Sequence, residues 1–202
     1  MIVGPSFFFV HVPKTGGDSV RAWCHHLSRF GSDNAVPDWW VEDSGSMTKH
    51  EPASRFPGAD QKKHRIASFR RLSDWTLSML HELTYHETLM RKWGIQGFAP
   101  ETALVHPFAD YYLETVTNGA RINTWLRCEY LLDDFVRFFD KQIIPCDVGE
   151  LRAVPTKPVR QYPHNPNLYW DSRDVENIYK LNPKWSLIEK RLYPQSEIPL
   201  TN

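Results

Sequence analysis

"FFFVHVPKTGGDSVRAWC", residues 7–24, decides how the chain is read. Its first half is an aromatic and β-branched run entered from Gly4-Pro5, the pattern of a buried strand over Ser6–Val12. In its second half Val20, Trp23 and Cys24, continued by Leu27, recur at i, i+3, i+4 and i+7, which predicts a helix over Asp18–Phe30 ended by Gly31. Between strand and helix lie Lys14, Thr15, Gly16, Gly17, Asp18 and Ser19. A turn that opens a helix presents backbone N–H groups to an anion. The glycines let the backbone curl, Lys14 adds a positive charge, and Thr15 and Ser19 supply hydroxyls. In chemical terms this is a phosphate cradle; its plain alternative is a tight turn with a capping Asp or Ser. It is not a Walker A loop, in which the lysine follows the second glycine.

Outward from this stretch the strand–turn–helix pattern recurs. Ile66–Phe69 reads as a second core strand, and Ser73 or Asp74 is placed to cap a helix striped by Trp75, Leu77, Met79, Leu80 and Leu83. Pro100–Asn118 reads as a further helix, Arg121–Cys128 as a strand and Tyr130–Lys141 as the helix after it. Residues 31–60 read as a long connection with one short strand near Met47–His50, and Leu151–Tyr169 as a proline-rich ordered loop or crossing segment. Two closing helices are predicted over Ser172–Leu181 and Pro183–Leu192. Repeated βα units predict an α/β fold, a three-layer sandwich whose central, mainly parallel sheet is flanked by helices, with ligands at the carboxyl ends of the strands.

A chain of 202 residues is read as one domain over 1–202, long enough to bury roughly 70% of its unfolded surface. Basic and acidic residues balance at 24 each, so no global field draws it onto nucleic acid or an anionic membrane, and any anion site is local. The apolar run around Phe7–Val12 falls far short of the roughly 20 residues that span a bilayer, and no signal-peptide pattern precedes it. A cytoplasmic protein without a membrane span is the expectation. Cys24, Cys128 and Cys146 are odd in number and unpaired in spacing, which fits reduced thiols rather than a disulfide framework or a zinc ribbon. In "HELTYHE", His81 and His86 are five apart and about 140° from one another on a helix, so they do not form the HExxH zinc pair.

"FVHVPKTGGDS" resembles the 5′-phosphosulfate loop of sulfotransferases that use 3′-phosphoadenosine 5′-phosphosulfate (PAPS), above all the carbohydrate-type branch, where a strand enters a PKTGGTS-like sequence. That family has a second strand and turn carrying an Arg and, eight residues on, a Ser for the nucleotide's 3′-phosphate; "IASFRRLSDWTLSML" offers Arg70 and Ser78 at that separation. "WLRCEYLLDDFVRFF" and "LYWDSRDVENIYKLNPKWSLIEKRLYP" are similar to the strand before a YEDL-like helix start and to the closing helices. The resemblance implies a P-loop-like nucleotide-binding fold. The chain departs from the pattern at Asp18, where Thr is usual, at Arg70-Arg71-Leu72, and at Trp75, where a basic residue is frequent. Asp18 either sets a carboxylate near the phosphosulfate or turns away to cap the helix.

The resemblance also implies the chemistry. Lys14 would neutralise the bridging and leaving oxygens while the Thr15–Ser19 backbone holds the others, with no metal required. Arg70 and Ser78 would grip the 3′-phosphate. The acceptor hydroxyl needs a base, drawn in this family from the segment between the two motifs, where His50 is best placed and Glu51 stands in reserve. Lys157 and Arg160 would fold over the nucleotide from the late loop. The acceptor implied is a sugar or glycoconjugate, with Trp39, Trp40, Trp93 and Trp170 as stacking faces or as core residues. Two other readings remain open: a relic of the same fold that binds a nucleotide or partner without catalysis, and a P-loop phosphotransferase, which would call for a GK[ST] loop. His11 and the pair His25-His26 read as core and helix-face residues.

Overall fold

The computed structural model describes residues 2–4, 6–30, 41–42, 50, 52–55, 64–83, 99–141, 146–156 and 162–194. They form an α/β fold. Strands β1 (Ile2–Val3), β2 (Phe7–Val10), β3 (Val41–Glu42), β4 (His64–Phe69) and β5 (Thr124–Arg127) make one sheet in the order β3-β1-β2-β4-β5. The pairs β2·β4 and β4·β5 are parallel, whereas β1 runs antiparallel to β2 and to β3. The sheet is therefore mixed rather than mainly parallel. Its antiparallel edge arises because the chain reverses right after β1: Gly4 N–H donates to Phe7 O at 2.9 Å. A Cβ at Gly4 would strike the Phe7 ring, so this reversal needs a residue without one.

The helices are α1 (Gly17–Phe30), α2 (Leu72–Leu83), α3 (Phe108–Thr117), α4 (Leu131–Lys141), α5 (Val148–Ala153), α6 (Ser172–Leu181) and α7 (Pro183–Leu192). Three differ from expectation. The helix read over Pro100–Asn118 is a 3-10 turn at Pro100–Leu104 followed by α3, because Pro107 drives His106 out of the helical region. Helix α2 begins at Leu72, ahead of Ser73 and Asp74. Helix α5 lies partly within the stretch read as loop, capped by Asp147, whose carboxylate accepts from Glu150 N–H at 3.0 Å. The strand predicted near Met47–His50 falls, except for His50, outside the described residues. No helix among the described residues is long and apolar enough to cross a membrane.

Two compact units divide the chain, residues 1–69 with 114–160 and residues 70–113 with 161–202. The first holds the sheet with α1, α4 and α5. Strand alternation sends Phe7 and Phe9 of β2, Ile66 of β4 and Leu126 of β5 to one face. There they pack with Val20, Trp23 and Cys24 of α1, Phe135, Phe138 and Phe139 of α4 and Leu151 of α5. Phe8, Val10, Ala67 and Phe69 on the opposite face are buried as well. A sheet buried on both faces explains why these strands read as apolar runs without alternation.

The second unit holds α2, the 3-10 turn, the start of α3, α6 and α7. Its centre is aromatic: the Trp75 and Trp185 rings lie 4.8 Å apart and the Trp75 and Tyr112 rings 6.0 Å apart. Two helices exchange caps. Asn182 Oδ1 accepts from Ala109 and Asp110 N–H at the start of α3, while the Asp110 carboxylate accepts from Lys184 and Trp185 N–H at the start of α7. Glu189, also buried, accepts from Leu72 N–H at 2.7 Å and from the Tyr179 hydroxyl at 2.7 Å. Its negative charge thus sits at the N-terminus of α2.

Candidate functional site

The turn between β2 and α1 has two left-handed residues, Lys14 at φ 62° and Gly16 at φ 86°. Gly16 adopts this conformation without penalty; Lys14 does so against the clash of its own Cβ with the backbone. Gly16 O accepts from Ser19 N–H at 3.0 Å and Val20 N–H at 3.3 Å, which makes Gly16 the residue that opens α1. Asp18 stands in the first turn of α1, where a carboxylate meets the positive end of the helix dipole.

Thr15 fastens the turn. Its hydroxyl lies 2.8 Å from Val12 O and 2.7 Å from Ser68 Oγ, and all of its side chain is buried. A carbonyl can only accept, so Thr15 donates its one proton to Val12, and Ser68 must be the donor in the second bond. The Thr15 proton is committed to the Val12 carbonyl within the turn, and the Ser68 proton ties the turn to β4. The sequence expectation that the Thr15 hydroxyl faces a bound anion is therefore corrected: Thr15 can offer such a ligand its backbone N–H and nothing more.

Neighbours set the shape of the turn tightly. A Cβ at Gly16 would come within 2.6 Å of Leu131 Cδ2, at the start of α4, and a Cβ at Gly17 would collide with the His11 imidazole. Helix α4 is itself tied to β5, since Arg127 grips Asp134 through Nε and Nη2 at 2.9 and 3.0 Å, with its backbone N–H on the same carboxylate at 2.9 Å. The Arg127 guanidinium also covers the Tyr130 ring at 4.5 Å. Because β2, β4 and β5 are parallel neighbours, their carboxyl ends share one side of the sheet, and the turn, Ser68 and Leu131 meet there.

His50 also reaches this turn. Its Nδ1 is 3.1 Å from His11 O, and the two imidazoles meet edge to face with centroids 4.5 Å apart. His11 is buried, as expected, yet it stands between Gly17 and His50 rather than deep in the apolar core. Neither this role nor that of Ser68 was signalled by spacing; the only trace is a polar residue near the end of each of two apolar strands.

The second motif lies in the other unit. Arg70 follows β4 directly, is half-buried, and its carbonyl accepts from Trp185 Nε1 at 3.0 Å. Ser78 lies in the second turn of α2 and is 3% exposed. Trp75 is fully buried against Trp185, which accounts for an aromatic where the resembled family favours a basic residue. Arg71 lies over the Tyr193 ring at 4.4 Å. Trp170 is buried with its Nε1 donating to Pro100 O, so it serves packing and not sugar stacking. Glu51, Lys157, Arg160, Trp39, Trp40, Trp93 and His86 lie outside the described residues.

Titration adds two constraints. Burial pushes the Cys24 thiol far above its ordinary value, with Cys146 adding to the effect; burial and then the Asp140 charge push Cys146 up to about 11. Neither is a thiolate nucleophile at neutral pH. Burial and then neighbouring His164 lower His81, whose ring stacks on Tyr162 at 4.1 Å. Among the described residues no group of three or more His, Cys, Asp and Glu side chains is placed to hold a metal ion.

Neither family models nor curated proteins nor solved structures match this chain.

Proposed function

We propose that the chain is a PAPS-dependent sulfotransferase acting on a hydroxyl acceptor, of P-loop-like three-layer architecture. The observation that carries the reading is the backbone of the turn: Lys14 and Gly16 are both held left-handed directly before α1. Strain of this kind in a non-glycine residue persists where surrounding structure enforces it, as at ligand clamps. The resemblance of "FVHVPKTGGDS" supplies the ligand class, and Arg70 with Ser78 supplies the partner motif for the 3′-phosphate.

In the proposed reaction the acceptor oxygen forms a bond to sulfur as the bond from sulfur to the bridging phosphate oxygen breaks. The electron pair leaves with 3′,5′-adenosine bisphosphate, and the acceptor proton passes to His50. The Lys14 charge and the first N–H groups of α1 offset the negative charge that develops on the leaving oxygen, an effect worth about 100-fold to 1,000-fold for a single donor. His50 as base contributes about 100-fold to 10,000-fold. A sugar hydroxyl is the proposed acceptor class, resting on the carbohydrate-type resemblance, and the cytoplasm the proposed setting.

Asp18 and the committed Thr15 hydroxyl favour a second reading, a protein of the same fold that binds the nucleotide without transferring from it. Incubation with ³⁵S-labelled PAPS and a panel of sugar hydroxyl acceptors separates the two. Label transfer that disappears in Lys14→Ala is expected; a folded parent protein that binds the nucleotide and transfers nothing to any acceptor or to water establishes the second reading.

A further inference from the structure

We infer that His11 is a positioning residue that sets the tautomer of His50. A carbonyl oxygen accepts and never donates, so at 3.1 Å from His11 O the His50 Nδ1 carries the proton. In the neutral ring the lone pair then belongs to Nε2. That is the state a proton acceptor needs, and it is fixed before any substrate arrives. Free imidazole side chains favour the opposite tautomer, with the proton on Nε2, so the carbonyl works against an intrinsic preference.

The His11 side chain holds the geometry in which this bond forms. Its imidazole is buried, blocked on one side by Gly17, where a Cβ would collide with it, and set edge to face against His50 at 4.5 Å. One residue therefore contributes two contacts, a backbone acceptor that chooses the tautomer and a ring that orients the plane. Gly17 has its own part in this. With no Cβ it leaves the space that the His11 ring fills, so the second glycine of the motif serves His50 as well as the turn.

The inference rests on the reading of His50 as the base only for its catalytic meaning; the tautomer itself is a property of the protein alone. The test is a long-range ¹H–¹⁵N spectrum of the full chain with ¹⁵N-labelled histidine, at a pH where the rings are neutral and with no nucleotide added. Nine histidines are present, and His50 is assigned by the signals lost in His50→Gln. The expected spectrum shows His50 protonated at Nδ1, with that proton protected from exchange and Nε2 giving the unprotonated signal. A His50 protonated at Nε2, or averaged like free histidine, overturns the inference. In His11→Ala the Nδ1 proton loses its protection and the ring drifts toward the free-histidine mixture; a spectrum unchanged from the parent removes the side chain from the role. Should His11→Ala fail to fold, the parent spectrum decides alone. An inactive protein with the Nδ1 tautomer would end the transferase reading and leave the positioning intact.

Discussion

Lys14 is the residue at which stability and the proposed function pull apart. Its left-handed backbone costs about 1–2 kcal/mol relative to a residue without a Cβ. Lys14→Gly relieves that strain and removes the charge in one step. The variant is expected to unfold in urea at a midpoint no lower than the parent's while losing sulfuryl transfer, whereas Lys14→Ala keeps the strain and loses transfer too. A Lys14→Gly protein that is clearly less stable would mean that the side chain is anchored structurally. The neighbouring Thr15 shows the limit of reading such a loop from sequence. Its place in the motif is visible, but the hydroxyl that donates to it, Ser68, lies fifty-three positions away and gives no signal in the motif itself.

Elements were legible where their own residues carry the signal. Helices α6 and α7 run as predicted, and α6 is closed by its own capping box, with Asp171 accepting from Arg173 and Asp174 N–H and Asp174 reaching back to Asp171. Where the cap comes from elsewhere the sequence misleads. Helix α2 starts at Leu72 because Glu189 accepts its N–H, and Asn182, a natural cap for α7, instead serves α3. Helix α5 had a local signal, Asp147 followed by Glu150, masked by the prolines after it. The exchanged caps are stronger than the local one, being buried. Asp110→Ala leaves two N–H groups at the start of α7 without their charged acceptor, at about 1.5–3 kcal/mol for each bond. Asp171→Ala on the exposed α6 cap costs about 1 kcal/mol. Urea unfolding of the two variants is expected to show the larger loss for Asp110→Ala; equal losses would mean that the exchange contributes nothing beyond a local cap.

At the scale of the molecule, the buried parallel strands were readable from apolar runs followed by helices. The antiparallel edge was not, because β1 and β3 are only two residues long and show no periodicity. Stability should depend on pH through His81. Its pKa is lowered on folding by burial and then by His164, with Tyr162 stacked on it and Tyr169 at 6.1 Å. The unfolded chain then binds more protons below about pH 6.5, so this contribution is complete above that pH and is lost as pH falls. The melting temperature is expected to drop between pH 7 and pH 5, and His81→Phe, which keeps the stack, is expected to drop less. Equal drops in both would place the acid sensitivity elsewhere.

The proposed function stands or falls on whether the protein binds the nucleotide product. The decisive measurement is the melting temperature with and without 3′,5′-adenosine bisphosphate, for the parent and for Arg70→Ala. Ligand at about 100 times its dissociation constant adds about 2.7 kcal/mol, so the parent should melt several degrees higher and Arg70→Ala should not shift. An unchanged parent melting curve at millimolar bisphosphate would contradict a PAPS-dependent enzyme.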